Sequence, residues 1–232
     1  MTRRLLLITG LLVLAAAWLG PLPGLAPVYF SAHMTMHMAV VAIAAPLIAL
    51  GVSGTRMDLT HRYPALFSPI PASLVELLIV WGWHAPALHH AARTSTGGLV
   101  TEQGMFLLSG LLVWLAAFGS EARRSGSRAG AGVVALLLTS MHMTFLGALL
   151  GLAPRALYGH GAPGRPSPLD EQHLGGAIML GVGGLSYLAG GLWLSVRLLT
   201  LGSPLGTARS GQALGSPAVT TRPGRPRGGE AA

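Results

Sequence analysis

The sequence predicts an all-α bundle that crosses a membrane about six times, with seven spans as the alternative and both termini in the cytoplasm. Three observations carry this. Hydrophobic residues make up 51% of the 232-residue chain and charged residues only 9%, against about 25% charged in a soluble domain. Six apolar runs, roughly 5–20, 30–51, 71–90, 98–119, 130–152 and 173–200, are long enough to be spans. The arginines also alternate between loops. Arg3, Arg4, Arg56, Arg62, Arg123, Arg124, Arg128, Arg209, Arg222, Arg225 and Arg227 fall on one side, and Arg93, Arg155 and Arg165 on the other. The positive-inside rule puts the richer side in the cytoplasm.

The first run follows Arg3 and Arg4 and reads as an uncleaved anchor, with a signal peptide as the alternative. The second opens on Ser31-Ala-His33-Met34-Thr-Met36-His37-Met38. Its two histidines share one helix face, with Cβ atoms about 5–6 Å apart. Pro46, further along, frees a carbonyl and kinks the helix, which a bundle interior tolerates. The third run carries Glu76 in its inner part, expected to pair with a loop arginine or to snorkel. Near its outer end stand Trp83-His84-Ala85-Pro86, followed by His89 and His90, expected as hydrated surface groups. The fourth run starts near Glu102 and Met105. The fifth holds Met141-His142-Met143 about eleven residues below its outer end, which is roughly 16 Å at the helical rise.

The last run contains Gly175, Gly176, Gly181, Gly183, Gly184, Gly190 and Gly191, which predicts close backbone packing. From 201 onward the chain is rich in Gly, Pro, Ser and Arg, and is expected to be a disordered tail. The predicted organisation is a transmembrane bundle over 1–200 and a cytoplasmic tail over 201–232.

Composition also excludes chemistry. The chain has no cysteine, which removes disulfides, thiolate ligands and a cysteine nucleophile. The net charge of +8 comes from arginines in short loops and the tail; this fits anchoring at a lipid surface rather than nucleic-acid binding. No nucleophile–base triad, phosphate loop or dinucleotide fingerprint supports an enzyme.

The histidines are the functional signal. Eight of the nine fall on the outer half, and only His61 lies inside. Neutral imidazole is the commonest metal ligand, and thioether suits Cu(I). His with Met and without Cys, facing an oxidising compartment, points to copper before zinc. The expected ligands are His33, His37, His84 and His142, with Met34, Met38, Met141 and Met143 as secondary candidates. Two other readings belong to different classes. Facing histidines such as His37 and His142 would suit a haem-binding electron-transfer protein. A metal-free scaffold would use the histidines as a buried hydrogen-bond network.

Five motifs occur in order: His33-Met34-x-x-His37, Trp83-His84-x-Pro86, Glu102 at the start of the fourth run, Met141-His142-Met143-x-x-Leu146-Gly147-Ala148, and Glu171-Gln172-His173-Leu174-Gly175-Gly176-x-Ile178-Met179. Over about residues 28–200 the chain resembles the polytopic CtaG family of cytochrome c oxidase assembly factors. The resemblance implies a multi-pass protein of the bacterial inner membrane. Such a protein is no enzyme but helps copper reach a terminal oxidase of the respiratory chain, with oxidase subunits and membrane lipid as partners. Carried over by position, it implies His33, His37, His84 and His142 as polar core residues. Glu102, Glu171 and His173 would be supporting groups or alternative ligands. The chain departs from the family in having Gln103 where members often carry His, Glu171 where Asp is usual, and six spans where many have seven. His89, His90 and His173 are candidates to replace the missing imidazole.

Overall fold

A computed structural model describes residues 2–159 and 166–202. Among them are seven main helices and no strand: α1 (Thr2–Leu19), α2 (Phe30–Val52), α3 (Pro69–His84), α4 (Pro86–Thr94), α5 (Thr96–Phe118), α6 (Gly126–Gly151) and α7, which runs from Pro168 to Gly202. Five of them, α1, α2, α5, α6 and α7, are long and apolar enough to cross a membrane. Residues 1–198 make one compact unit. The predicted tail lies outside the described residues from 203 onward, as do His160 and Arg165.

Helix starts follow local chemistry. Ser95, Ser125 and Ser167 precede α5, α6 and α7, and each hydroxyl accepts a first-turn N–H, from Gly98, Arg128 and Asp170. This capping satisfies a donor that the helix itself leaves unpaired. Pro69, Pro86 and Pro168 occupy first helical positions, where the missing N–H is harmless.

The third apolar run departs from expectation. It was predicted as one span over 71–90, but the helix stops at His84 after 16 residues, a length of about 24 Å. Pro86 is the cause. Its ring disfavours helical backbone at the preceding residue, and Ala85 is extended at φ −64°, ψ 134°. The chain then restarts as α4, which turns back onto α5. The last helix carbonyl, that of His84, is taken by the Tyr158 hydroxyl at 2.5 Å.

Helix α2 lies at the centre of the fold and packs on α1, α5 and α7, while α3 packs on α5 and α6. Residues 39–44 of α2 widen into a π-turn just before Pro46. Pro46 has no N–H to give the preceding turn, so nearby carbonyls need other partners. Trp114 Nε1 reaches the Val41 carbonyl at 3.0 Å, and Ser186 Oγ donates to that of Ala42 at 2.7 Å; the Tyr187 hydroxyl oxygen lies 3.3 Å from the Val41 oxygen, with its one proton given to Glu76. A second π-turn in α7, over Met179–Gly184, has its Gly184 carbonyl held by Ser140 Oγ at 2.8 Å.

The glycine-rich last helix packs closely, as predicted. A Cβ on Gly176 would lie 2.4 Å from the Gly151 amide nitrogen and 2.7 Å from the Gly147 carbonyl. The backbones of α6 and α7 therefore meet directly there. Gly181 is an exception, with no atom near the position its Cβ would take.

Glu76 neither snorkels nor meets an arginine. It is fully buried, and it accepts the Tyr187 hydroxyl from α7. Ser73 and Thr139 pair nearby at 2.9 Å. The i, i+3 spacing of Ser73 and Glu76 turns both toward the interior.

Candidate metal centre

His33 and His37 are both fully buried on one face of α2. Prediction and structure agree here because the spacing of four fixes the face. His84, at the end of α3, meets both: ring centroids are 5.6 Å from His33 and 5.3 Å from His37. Its Nδ1 lies 2.6 Å from the Val80 carbonyl of the preceding turn. An imidazole nitrogen this close to a carbonyl must carry the proton, so Nε2 holds the free lone pair. Phe106 of α5 closes one side, 4.0 Å from the His37 ring.

His89 of α4 completes the group. It was expected as a wet surface residue, yet it is only 6% exposed. Its ring stands edge-on to His33 at 4.9 Å. The break at Ala85 makes this possible by letting α4 fold back over the bundle end. Ligand atoms of His33, His89 and Glu102 all lie within 4.8 Å of one another, the one such group of three among the described residues. Of the three candidates for the missing imidazole, His89 is the one that lies in this group. His90, its neighbour, is exposed.

Glu102 is ion-paired with Arg93 and lies 3.7 Å from His33 Nδ1. Gln103 Nε2 donates to the same carboxylate at 3.2 Å, and Trp18 Nε1 reaches Gln103 Oε1 at 3.4 Å. Arg93 also contacts His33 Nδ1 at 2.8 Å. Arg93 lies outside the spans, and burial is the main cause that lowers its pKa, against the opposing effect of Glu102.

Several polar atoms here are buried with no hydrogen-bond partner: His33 Nε2, both nitrogens of His37, His84 Nε2, His89 Nδ1, and both nitrogens of His142. A buried polar group left unpaired costs about 1–3 kcal/mol. A neutral imidazole offers one lone pair, so each ring could give one nitrogen to a metal: Nε2 on His84, and Nδ1 on His33 once Arg93 leaves it.

The secondary candidates divide. His142 is buried on α6 within electrostatic reach of His37, but it stands outside the ring contacts that join His33, His37, His84 and His89. Met34 and Met38 are buried against glycines of α7, where the Met38 sulfur lies 2.9 Å from the Cβ position of Gly183. Their place on α2 turns them about 100° from the histidine face. Met143 is fully buried beside the same glycine, and Met141 is 65% exposed on the outside of α6. Glu171 caps the start of α2 instead, accepting Ser31 Oγ at 2.6 Å and Ser31 N at 3.1 Å. His173 Nε2 is 2.9 Å from the Ala153 carbonyl, in the loop before α7.

A family model, that of the cytochrome c oxidase caa3 assembly factor (Caa3_CtaG), matches residues 1–200. The chain belongs to the Caa3_CtaG family. No curated protein and no solved structure matches it. The match covers six helices of this Caa3_CtaG member and all but the last two residues of α7, and therefore every residue of the histidine cluster.

The sequence left Arg93 out of the cluster and offered His89 only as one of three candidates for the missing imidazole. Both sit on α4, four residues apart, on the face that α4 turns inward. The signal was that spacing, right after a proline that restarts a helix. Arg93 had been read only as a loop charge.

Proposed function

We propose that this Caa3_CtaG chain binds Cu(I) through its buried imidazoles and helps deliver it to a terminal oxidase. One observation carries the reading. Four histidines from three helices gather in a buried interior, the His33 ring meeting those of His37, His84 and His89 and the His84 ring also meeting that of His37, with an unpaired nitrogen on each. Imidazole nitrogens suit copper, and without a thiolate the site lacks the soft ligand that would hold Cu(I) most firmly, which fits an ion that has to be released. Rings this close also favour a bare ion over haem, because a porphyrin plane must fit between two axial imidazoles. The loop charges support cytoplasmic termini, which puts the cluster near the periplasmic face of a bacterial inner membrane. The role is non-catalytic, and the oxidase subunits are the partners.

The test is metal analysis of the purified full chain after loading with Cu(I) under reducing conditions. About one copper per chain is expected, lost in a His33→Ala, His37→Ala, His84→Ala triple variant. His142→Ala should keep most of it. Unchanged stoichiometry in the triple variant, with the fold intact by circular dichroism, sinks the proposal.

A further inference from the structure

A cavity of about 650 Å³ opens at the histidine end of the bundle. Tyr29, His89, His90, Arg93, Tyr158 and Glu171 are among its walls. Arg93 lines this space and also touches the buried groups. The guanidinium reaches inward to His33 Nδ1 at 2.8 Å and to the Glu102 carboxylate, while its Nε has no partner.

Guanidinium has only donors, so His33 Nδ1 must be the acceptor and Nε2 must carry the ring proton. The lone pair that a metal would use on Nδ1 is therefore already engaged. The same holds for the Glu102 oxygen that faces His33. Arg93 occupies the space between two of the three groups whose ligand atoms come within 4.8 Å of one another. A metal ion and the guanidinium cannot both be there.

We infer that Arg93 is an exchangeable stand-in cation: an incoming Cu(I) takes its place between His33 and Glu102, and the guanidinium swings out into the cavity. This rests on the copper reading above. Charge favours the exchange. Both guanidinium and Cu(I) carry a single positive charge, so Glu102 stays compensated before and after. An uncompensated buried charge would be expensive. The freed guanidinium has water-accessible space beside it, and its long flexible stem lets it move without shifting α4. On release the reverse movement restores the Arg93–Glu102 pair, which helps push the ion out. Arg93 is thus a positioning and release residue rather than a ligand.

Two measurements test this on the full chain in detergent. The first is Cu(I) affinity by competition with a chelator of known strength. Arg93→Ala and Arg93→Gln should bind at least about tenfold tighter than the unmodified chain, with slower release. Arg93→Lys should fall between, since ammonium keeps the charge but lacks the rigid planar fork that spans His33 and Glu102. The second needs no variant. Phenylglyoxal labelling of Arg93, read by peptide mass spectrometry, should rise severalfold when Ag(I) is bound, while Arg56 and Arg62 stay constant. Binding of Cu(I) or Ag(I) with unchanged Arg93 labelling and equal affinities in the variants overturns the exchange and leaves the copper reading standing. Failure of every form to bind either ion overturns both.

Discussion

Trp114 donates its indole N–H to the Val41 carbonyl at 3.0 Å, so a side chain of α5 closes a gap in the backbone bonding of α2. The gap exists because Pro46 cannot donate and the helix widens before it. Trp114→Phe should lower stability by about 1 kcal/mol, the usual net value of one hydrogen bond, or more if the carbonyl stays dry. The check is thermal unfolding in detergent. A double-mutant cycle with Pro46→Ala separates the causes, because an alanine N–H there can serve the turn itself and should shrink the Trp114 effect.

The Glu76–Tyr187 pair links α3 to α7 in the interior. Tyr187→Phe removes the donor and leaves Glu76 Oε1 buried without it. A loss of about 1–3 kcal/mol is expected. Glu76→Gln keeps an acceptor for Tyr187 and should cost less. Equal losses in the two variants, measured by chemical unfolding, would show that the hydroxyl–carboxyl contact contributes nothing special.

Helix packing gives a sharper contrast. At Gly176 a methyl would strike the backbone of α6, which cannot move aside like a flexible side chain. Gly176→Ala should destabilise by about 1–3 kcal/mol, as overpacking does. Gly181→Ala meets nothing within 4 Å and should be neutral or slightly stabilising, since alanine is the better helix former. Melting temperatures of the two variants in one detergent decide the matter.

Asp58 governs the opposite end of the bundle. It is buried in the loop after α2 and gathers the N–H groups of Gly54, Thr60 and Ser120 and the Thr60 hydroxyl at 2.6–3.0 Å. Burial pushes its pKa up, but these four donors outweigh that and hold it well below the usual carboxylate range. A carboxyl with a lowered folded-state pKa contributes stability in full above its unfolded value, near pH 4. That contribution is lost as the pH falls from there through the folded-state value. Stability should therefore decline below about pH 4 in the unmodified chain and decline less steeply in Asp58→Asn. Parallel acid-unfolding curves for the two would refute the role assigned to Asp58. Gly54 belongs to the same turn: its φ of +74° favours glycine, and its N–H points at Asp58.

Much of the site could be read along the chain. Residues four apart on a helix must share a face, so the pairing of His33 with His37 needed no fold. Pro86, two residues after His84, carried the signal for the end of α3, but the apolar run over 71–90 continues through it. The methionines misled, because His33 and Met34 look equivalent in sequence while one position on a helix turns the side chain about 100°. His33 and His37 therefore face α5 and Phe106, and Met34 and Met38 face the glycines of α7.

Local rules also could not place α4. Its spacing of His89 and Arg93 defines a face, but whether that face meets lipid, water or protein depends on how α4 folds after Ala85. Glu76 was ambiguous in the same way, since a carboxyl in an apolar run is either carried to an edge or matched by a partner. Its partner, Tyr187, comes from 111 residues away.

The sequence by itself determined the helical class, the apolar runs and the histidine pair on α2. These follow from hydropathy, backbone geometry and spacing within one segment. Only the tertiary structure decided that His84 and His89 join that pair and that Arg93 stands between His33 and Glu102. Those relations depend on which helices become neighbours. That choice is set by packing across the whole bundle, where a glycine on one helix or a carbonyl freed on another decides how closely two distant segments approach.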